Sequence, residues 1–170
     1  ERMIQMEMTK EMLMKEINII GMGMSEKTLT AEALELIIEV DILIGAKRLI
    51  NEFSHMNKPS FNAYLSNDIL EIIEKTDAEK IAILVSGDVG FYSAAEKLVD
   101  VLKDYDPNLI SGISSVSYFF AKCSLPWKDA NLISCHGLDT NIVSSVRRNR
   151  FTFALTGKNI PELQKELVKY

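Results

Sequence analysis

The sequence has few of the features that mark secreted, membrane-spanning or nucleic-acid-binding proteins. Its two cysteines, Cys123 and Cys135, form neither a CxxC pair nor a Cys/His metal spacing. We therefore expect a reduced, cytoplasmic protein with both thiols buried. No apolar run approaches the roughly 18 to 20 residues that cross a bilayer, and no basic block accompanies the net charge of −5. Neither a membrane nor a nucleic acid is expected as a partner.

The usual catalytic sets are also missing from the sequence. It shows no Ser/His/Asp set, no paired carboxylates at a suggestive spacing and no metal-ligand cluster, so no metal site is predicted. What is present is 47% hydrophobic and 25% charged residues in a chain of 170. This composition is typical of a soluble globular protein with a substantial core. The length suits one domain, or one small domain and part of a second.

The first sixteen residues stand apart from the rest. Five methionines alternate there with charged residues, and a signal peptide would need an uninterrupted apolar stretch and a cleavage site of small residues. We interpret residues 1–16 as an extension or a cloning remnant, with a natural start near Met14, and expect no functional role for them.

From Ile17 onward, short apolar runs alternate with amphipathic segments, which predicts strand and helix units around a mainly parallel sheet. The run Ile81 to Val85 is apolar throughout, as expected of a central strand covered on both faces. Strands are predicted at 17–20, 42–44, 81–85, 108–110, 132–135 and 151–155. Helices are predicted at 28–40, 66–75, 92–105, 114–124, 141–148 and 161–170, with a basic turn and polar loop over 46–65.

The predicted fold class is therefore α/β, with an N-terminal α/β domain over 17–135. Residues 136–170 are expected to begin a second α/β domain that is incomplete here, because one further strand cannot form a sheet alone.

Three glycine-bearing loops follow predicted strands, and ligands collect at the carboxyl ends of parallel strands. In the first loop, Gly21 to Ser25, the sixth position of a GxGxxG pattern is Glu26, and Gly45 stands where a ribose-binding acid should end the second strand. The nicotinamide fingerprint therefore fails twice. A simple tight turn explains Gly21 and Gly23 as well as a ligand role does.

The second loop, Ser86 to Ser93, is more specific. Gly87 allows close approach of the backbone to a ligand, Asp88 offers a carboxylate, and Gly90 allows the chain to turn. No Walker lysine follows, so a triphosphate is not favoured. The third loop is Ser111 to Ser115.

These loops resemble those of the tetrapyrrole methylases, in the same order. Ser86 to Ser93 is similar to that family's GDPGFYS stretch, Ser111 to Ser115 to its PGISS stretch, and Gly21 to Ser25 to its GxGPG opening. The resemblance extends from about Ile17 to the end of the chain. The segments GAKRLI, LPWKDANLISCHG and ALTGKNIPELQKEL most resemble the precorrin C5-methyltransferase branch.

The chain departs from the family pattern at three loop prolines. Met24, Val89 and Ser111 stand in their places, and each change removes a fixed φ angle, so the loops are expected to be less preorganised.

The resemblance implies the tetrapyrrole methylase fold and an S-adenosylmethionine (SAM) pocket in a cleft between two α/β domains. It implies methylation of C5 of a precorrin or cobalt-precorrin in cobalamin biosynthesis, with S-adenosylhomocysteine as the second product. Asp88 is expected to orient the cofactor and not to act as a base, and no other catalytic residue is assigned. The implied cofactor contacts are Met24, Ser86, Gly87, Asp88, Phe91, Ser114, Ser115 and His136.

A carboxylate-rich substrate needs cationic groups, for which Lys47, Arg48, Arg147 and Arg148 are the candidates. The resemblance further implies a homodimer and a functional pairing with a C15-methyltransferase/decarboxylase.

Other interpretations stay open. Lys47 and Arg48 could be solvated charges, His136 a junction histidine, and the aromatic residues Phe91, Phe119 and Phe120 core residues. The alternative functions are methylation at another ring position, a diphthine synthase-like activity on a modified protein histidine, or a non-catalytic nucleotide-binding module.

Overall fold

A computed structural model of the chain describes residues 15–135, 142–156 and 160–169, apart from the side chain of residue 166. The chain divides into two compact units, one ending at Ser115 and the other beginning at Val116.

The first unit is built on a five-stranded, fully parallel sheet. The strand order is β3-β2-β4-β1-β5, so β4 lies between β1 and β2 and is central, as its apolar run predicts. The register pairs Ile17 with Ile81, and Ile42 pairs with Ile81 from the other side. The strands are β1 (Glu16–Gly21), β2 (Ile42–Gly45), β3 (Ser60–Asn62), β4 (Lys80–Val85) and β5 (Asn108–Ile110).

Helices cover both faces of this sheet, because alternate residues of each buried strand point to opposite sides. One face packs against α1 (Ala31–Glu39), whose Ala33 and Ile37 lie in one core cluster with Ile20 and Leu84. The other face packs against α3 (Ser66–Lys75) and α4 (Ala95–Val101). The chain therefore leaves β1 toward one face and β4 toward the other. Their carboxyl ends form a topological switch point, where ligands bind in open α/β sheets.

A buried amide fixes β5 beside β1. Asn18 is 1% exposed within β1, and its side-chain oxygen accepts a hydrogen bond of 3.2 Å from the Nδ2 of Asn108. A misaligned strand would leave this polar group without that partner, which is costly in a buried site. The loop after β5 is thereby held next to the loop after β1.

Two of the sequence-predicted helices begin later than expected. Residues Glu26–Thr28 form a 3-10 turn, and α1 starts only after Thr30, whose hydroxyl accepts a 3.1 Å bond from the N–H of Ala33. The helix predicted from residue 92 starts at Ala95, because Tyr92 has a left-handed φ of 48° that ends the loop.

The segment 46–65, predicted as a basic turn and polar loop, contains regular structure. It forms α2 (Lys47–Ile50), a 3-10 helix (Asn51–Met56) and β3. Leu49, Ile50 and Phe53 are buried in the core. That prediction is wrong because each element is too short to show a hydrophobic period.

The second unit contains two parallel strands, β6 (Asn131–Ser134) and β7 (Thr152–Leu155). Its helices are α5 (Ser115–Lys122), α6 (Ile142–Arg148) and α7 (Ile160–Leu167). The ring of Phe120 lies 6.2 Å from that of Phe151 and 6.3 Å from that of Phe153, so α5 packs with β7. The division between the units accordingly falls after Ser115, the first residue of α5, ahead of the boundary at 135/136 suggested by the sequence.

Three side chains in this unit are less buried than expected. Cys123 is exposed and Cys135 is half-buried, so the prediction that both thiols are buried is wrong. Cys123 lies just after α5, in a stretch from residue 121 to 129 whose side chains are all exposed. Phe120 is buried as a core residue, whereas Phe119 is 54% exposed.

Candidate functional site

Three glycine-bearing loops converge at the carboxyl edge of the first unit's sheet. They follow the neighbouring strands β4, β1 and β5, and their backbones touch at Gly21, Gly87 and Gly112. A Cβ at Gly112 would lie 2.3 Å from the carbonyl oxygen of Gly87 and 2.4 Å from that of Gly21. A Cβ at Gly21 would lie 2.7 Å from the nitrogen of Gly112. Only hydrogen fits at these two positions, so both glycines are needed for loops to pack on one another.

A pair of backbone hydrogen bonds closes the switch point itself. Gly23 and Gly87 each donate an N–H to the other's carbonyl oxygen, both at 3.0 Å. Both have left-handed φ angles, +62° and +71°, which glycine adopts without strain. A Cβ on Gly87 would meet no atom of the described residues within 4 Å. The backbone of the second loop therefore faces open space, which lets a ligand approach it closely.

The carboxylate of Asp88 joins the second loop to the third. Its Oδ1 accepts 2.9 Å from the N–H of Gly90, and its Oδ2 accepts 3.2 Å from the N–H of Gly112. Each carboxylate oxygen has two lone-pair sites, so both can accept another hydrogen bond from a ligand. Asp88 thus holds the loops together and retains capacity to orient a bound hydroxyl or amine.

Consecutive N–H groups of the first loop all donate within the protein. Phosphate sites of nucleotide-binding loops need such groups directed at the ligand. Here they are already used, which agrees with the failed nicotinamide fingerprint. The bonds run from Met22 to the carbonyl of Val85 (2.8 Å), from Gly23 to that of Gly87 (3.0 Å), from Met24 and Ser25 to the hydroxyl of Thr28 (2.8 and 3.0 Å), and from Glu26 to a carboxylate oxygen of Glu52 (2.5 Å).

The structure brings most of the sequence-predicted cofactor residues to this edge. Met24 is 39% exposed and Ser86 is exposed, whereas Gly87 and Asp88 are half-buried. The half-buried ring of Phe91 packs edge-on against that of Tyr92, with centroids 5.0 Å apart. Ser114 and Ser115, both half-buried, stand at the start of α5. His136 lies outside the described residues.

The four predicted substrate cations fall in two places. Lys47 and Arg48 are exposed in α2, directly after the carboxyl end of β2, and therefore stand at the same sheet edge as the glycine loops. Arg147 and Arg148 are exposed at the end of α6 in the second unit. Within the first unit, Lys47 and Arg48 thus stand on the edge that carries the candidate site.

The sequence pattern places Thr28 only at the start of the predicted helix 28–40 and does not reveal its role in the first loop. Its hydroxyl accepts the two loop N–H groups given above and donates 2.8 Å to the carbonyl of Ser25. Thr28 follows Ser25 by three residues and Met24 by four. A helix cap has the same spacing, so this pattern is only a weak signal for such a contact.

The described residues offer neither a metal site nor a membrane-spanning helix. Within 15–135, 142–156 and 160–169, no group of three or more His, Cys, Asp or Glu side chains is arranged to hold a metal ion. Over the same part of the chain, no helix is both long and apolar enough to traverse a bilayer.

Comparison with known proteins decides the family. Residues 16–170 match the sequence model of the Tetrapyrrole (Corrin/Porphyrin) Methylases. The chain belongs to this family. The expectation drawn from the loop motifs is confirmed, and so is the α/β tetrapyrrole methylase fold.

Two relatives of the chain have names that refer to C(5) methylation of cobalt-precorrin-7. The chain is 32% identical over 131 residues to the probable cobalt-precorrin-7 C(5)-methyltransferase of Methanocaldococcus jannaschii, covering 74% of this chain and 62% of the relative. It is 29% identical over 157 residues to the cobalt-precorrin-7 C(5)-methyltransferase of Salmonella typhimurium, covering 89% of this chain and 77% of the relative. The tetrapyrrole methylase chain thus spans less than two thirds of the first relative's length.

A solved structure supports the fold. The uroporphyrin-III C-methyltransferase of Thermus thermophilus, crystallised with S-adenosylhomocysteine, superimposes with a TM-score of 0.69 at 15% identity. The match covers 91% of this chain and 72% of that one. At this identity the likeness concerns the fold alone.

Proposed function

We propose that this tetrapyrrole methylase is a SAM-dependent C-methyltransferase that acts on C5 of a precorrin or cobalt-precorrin in cobalamin biosynthesis. The observation that carries the proposal is the packing of three glycine loops at the switch point, with open space above Gly87. The names of the two relatives support the choice of C5.

The residues at the sheet edge fit SAM better than a dinucleotide. SAM has an adenosine part and a charged amino-acid part but no phosphate, and the N–H groups of Gly23, Met24 and Ser25 are already bonded inside the protein. The carboxylate of Asp88 would accept from ligand hydroxyl or amine groups, and Met24 and Phe91 offer apolar surface for the adenine. This arrangement also argues against the alternative of a nucleotide-binding module.

Further polar contacts would come from the second and third loops. Ser86 and the backbone of Gly87 would bind from one side, and the hydroxyls of Ser114 and Ser115 from the other. His136 stays a contact predicted from the sequence.

Bound SAM would supply an electrophilic methyl group for an electron-rich ring carbon. The protein's own task is to hold two large ligands in register and to exclude water, and good orientation alone can lower a barrier by about 7 to 11 kcal/mol. No general base is required of this chain, so Asp88 serves to orient. Lys47 and Arg48 would bind substrate carboxylates at the same edge through charge-assisted hydrogen bonds, and Arg147 and Arg148 are proposed for the same role.

Calorimetry and a turnover assay test this function. We expect S-adenosylhomocysteine to bind the full chain and NAD not to bind. Incubation with SAM and isolated precorrins should then methylate the C5 substrate in preference to those modified at other positions. Binding of NAD alone would refute the methyltransferase, and preference for another precorrin would refute the choice of C5 only.

Assembly is a separate proposal carried over from the family. We expect a homodimer by light scattering, and a methylated product that serves a C15-methyltransferase/decarboxylase as substrate in a coupled assay.

A further inference from the structure

The hydroxyl of Thr28 makes hydrogen bonds to two residues of the first glycine loop. It accepts the N–H of Met24 at 2.8 Å and the N–H of Ser25 at 3.0 Å, and it donates to the carbonyl of Ser25 at 2.8 Å. A hydroxyl has one donor and two acceptor sites. All three are used to hold two adjacent loop residues.

The loop also lies in direct contact with this side chain. A Cβ on Gly23 would stand 2.6 Å from the Oγ1 of Thr28. Glycine at position 23 therefore allows the backbone to approach the hydroxyl this closely. The N–H of Thr28 in turn donates 2.9 Å to the carbonyl of Ser25. Thr28 therefore fixes the turn from Gly23 to Ser25, while the side chain of Met24 remains exposed.

We propose that Thr28 is a positioning residue that presents Met24 to the adenosyl ligand, an inference that rests on the proposed function. Met24 stands where the GxGPG pattern has proline. Unlike proline, it has an N–H that needs an acceptor and a φ angle that is free to vary. Thr28 supplies the acceptor and restricts the turn, so it restores the rigidity that the substitution removes.

The binding test compares three variants of the full chain by calorimetry with S-adenosylhomocysteine. Thr28→Val keeps the shape and removes the hydroxyl, Thr28→Ser keeps the hydroxyl, and Thr30→Val removes the neighbouring hydroxyl that caps α1. We expect Thr28→Val to raise the Kd about ten-fold, the equivalent of roughly one net hydrogen bond or slightly more. Thr28→Ser should bind like the wild type, and Thr30→Val should lower the Tm with the Kd unchanged.

Amide hydrogen exchange without ligand tests the same residue independently of SAM. In Thr28→Val the amides of Met24 and Ser25 should exchange at least about ten-fold faster than in the wild type. In Thr28→Ser and Thr30→Val they should exchange at the wild-type rate. If valine prevents folding, Thr28→Ala takes its place in both experiments.

The outcomes separate the two proposals. Wild-type protein that binds no S-adenosylhomocysteine contradicts the proposed function, and the exchange rates then decide whether Thr28 holds the loop. Unchanged protection of Met24 and Ser25 in Thr28→Val overturns the positioning role. So does wild-type affinity of that variant.

Discussion

The contact between the glycine loops predicts opposite behaviour for two glycine-to-alanine variants. At Gly112 the added methyl group would lie 2.3 to 2.6 Å from backbone atoms of Gly87 and Gly21. Those atoms belong to two other loops, and neither can move away as a flexible side chain would. At Gly87 the methyl group would have no neighbour within 4 Å in the part of the chain that the structure describes, and the change only forces alanine to adopt a φ of +71°.

These geometries give different magnitudes. Overpacking costs about 1 to 3 kcal/mol, and separating the loops also weakens the bond from Gly112 to Asp88, worth about 1 kcal/mol. Gly112→Ala should therefore lose about 3 kcal/mol, a large part of a typical unfolding free energy of about 5 to 15 kcal/mol. Gly87→Ala should lose only about 1 kcal/mol from its left-handed backbone.

Urea unfolding followed by circular dichroism measures this difference. With an m value of about 2 kcal/mol/M, the midpoint of Gly112→Ala should lie about 1 M below that of Gly87→Ala. Gly87→Ala should be the more stable of the two variants but should bind S-adenosylhomocysteine more weakly, because its methyl group enters the space proposed for the ligand. Equal midpoints for the two variants, with unchanged m values, would refute the loop packing described above.

Three further predictions concern Asp88, Tyr105 and the pair Lys47 and Arg48. Asp88→Asn should weaken S-adenosylhomocysteine binding, because an amide nitrogen would face an N–H donor from Gly90 or Gly112; unchanged affinity with abolished turnover would instead make Asp88 a proton-transfer group. Burial, and then the nearby charges of Glu74 and Asp104, raise the pKa of Tyr105 above its ordinary value of 10.0. The contribution of Tyr105 to folded-state stability is therefore present below about pH 10 and is lost as pH rises through the folded-state pKa. Tyr105→Phe should show a smaller loss of Tm in alkaline solution than the wild type, and an equal loss would contradict this. Replacing Lys47 and Arg48 together by glutamine should raise the Kd for a carboxylate-rich porphyrin about ten-fold, as measured by fluorescence. The affinity for S-adenosylhomocysteine should stay unchanged. An unchanged porphyrin Kd would show that both residues are merely solvated charges.

Much of the sheet could be predicted from the sequence, since its strands are short β-branched runs ended by glycine or polar residues. The helix Ser66–Lys75 has the predicted bounds, because its apolar residues recur with a clear helical period. The α2 helix and β3 could not be predicted in this way. Burial of Leu49 and Phe53 depends on where distant strands place them, and four residues are too few to show a period.

Loops that could bind a ligand can be recognised from the sequence, but the way they pack together cannot. Glycine and aspartate after strand ends indicate a ligand loop. The contact of Gly112 with Gly21 and Gly87 depends on strand order, which no local pattern contains. The positive φ of Tyr92 and the hydroxyl contacts of Thr28 are equally invisible, because both arise from the turns between elements.

The position of the nucleoside can be seen directly in a crystal structure of the full chain grown with S-adenosylhomocysteine. We expect the nucleoside over the open face of Gly87, with Met24 and the Asp88 carboxylate in contact with it. A structure in which protein side chains fill the space above Gly87, with the nucleoside bound elsewhere or absent, would contradict this expectation.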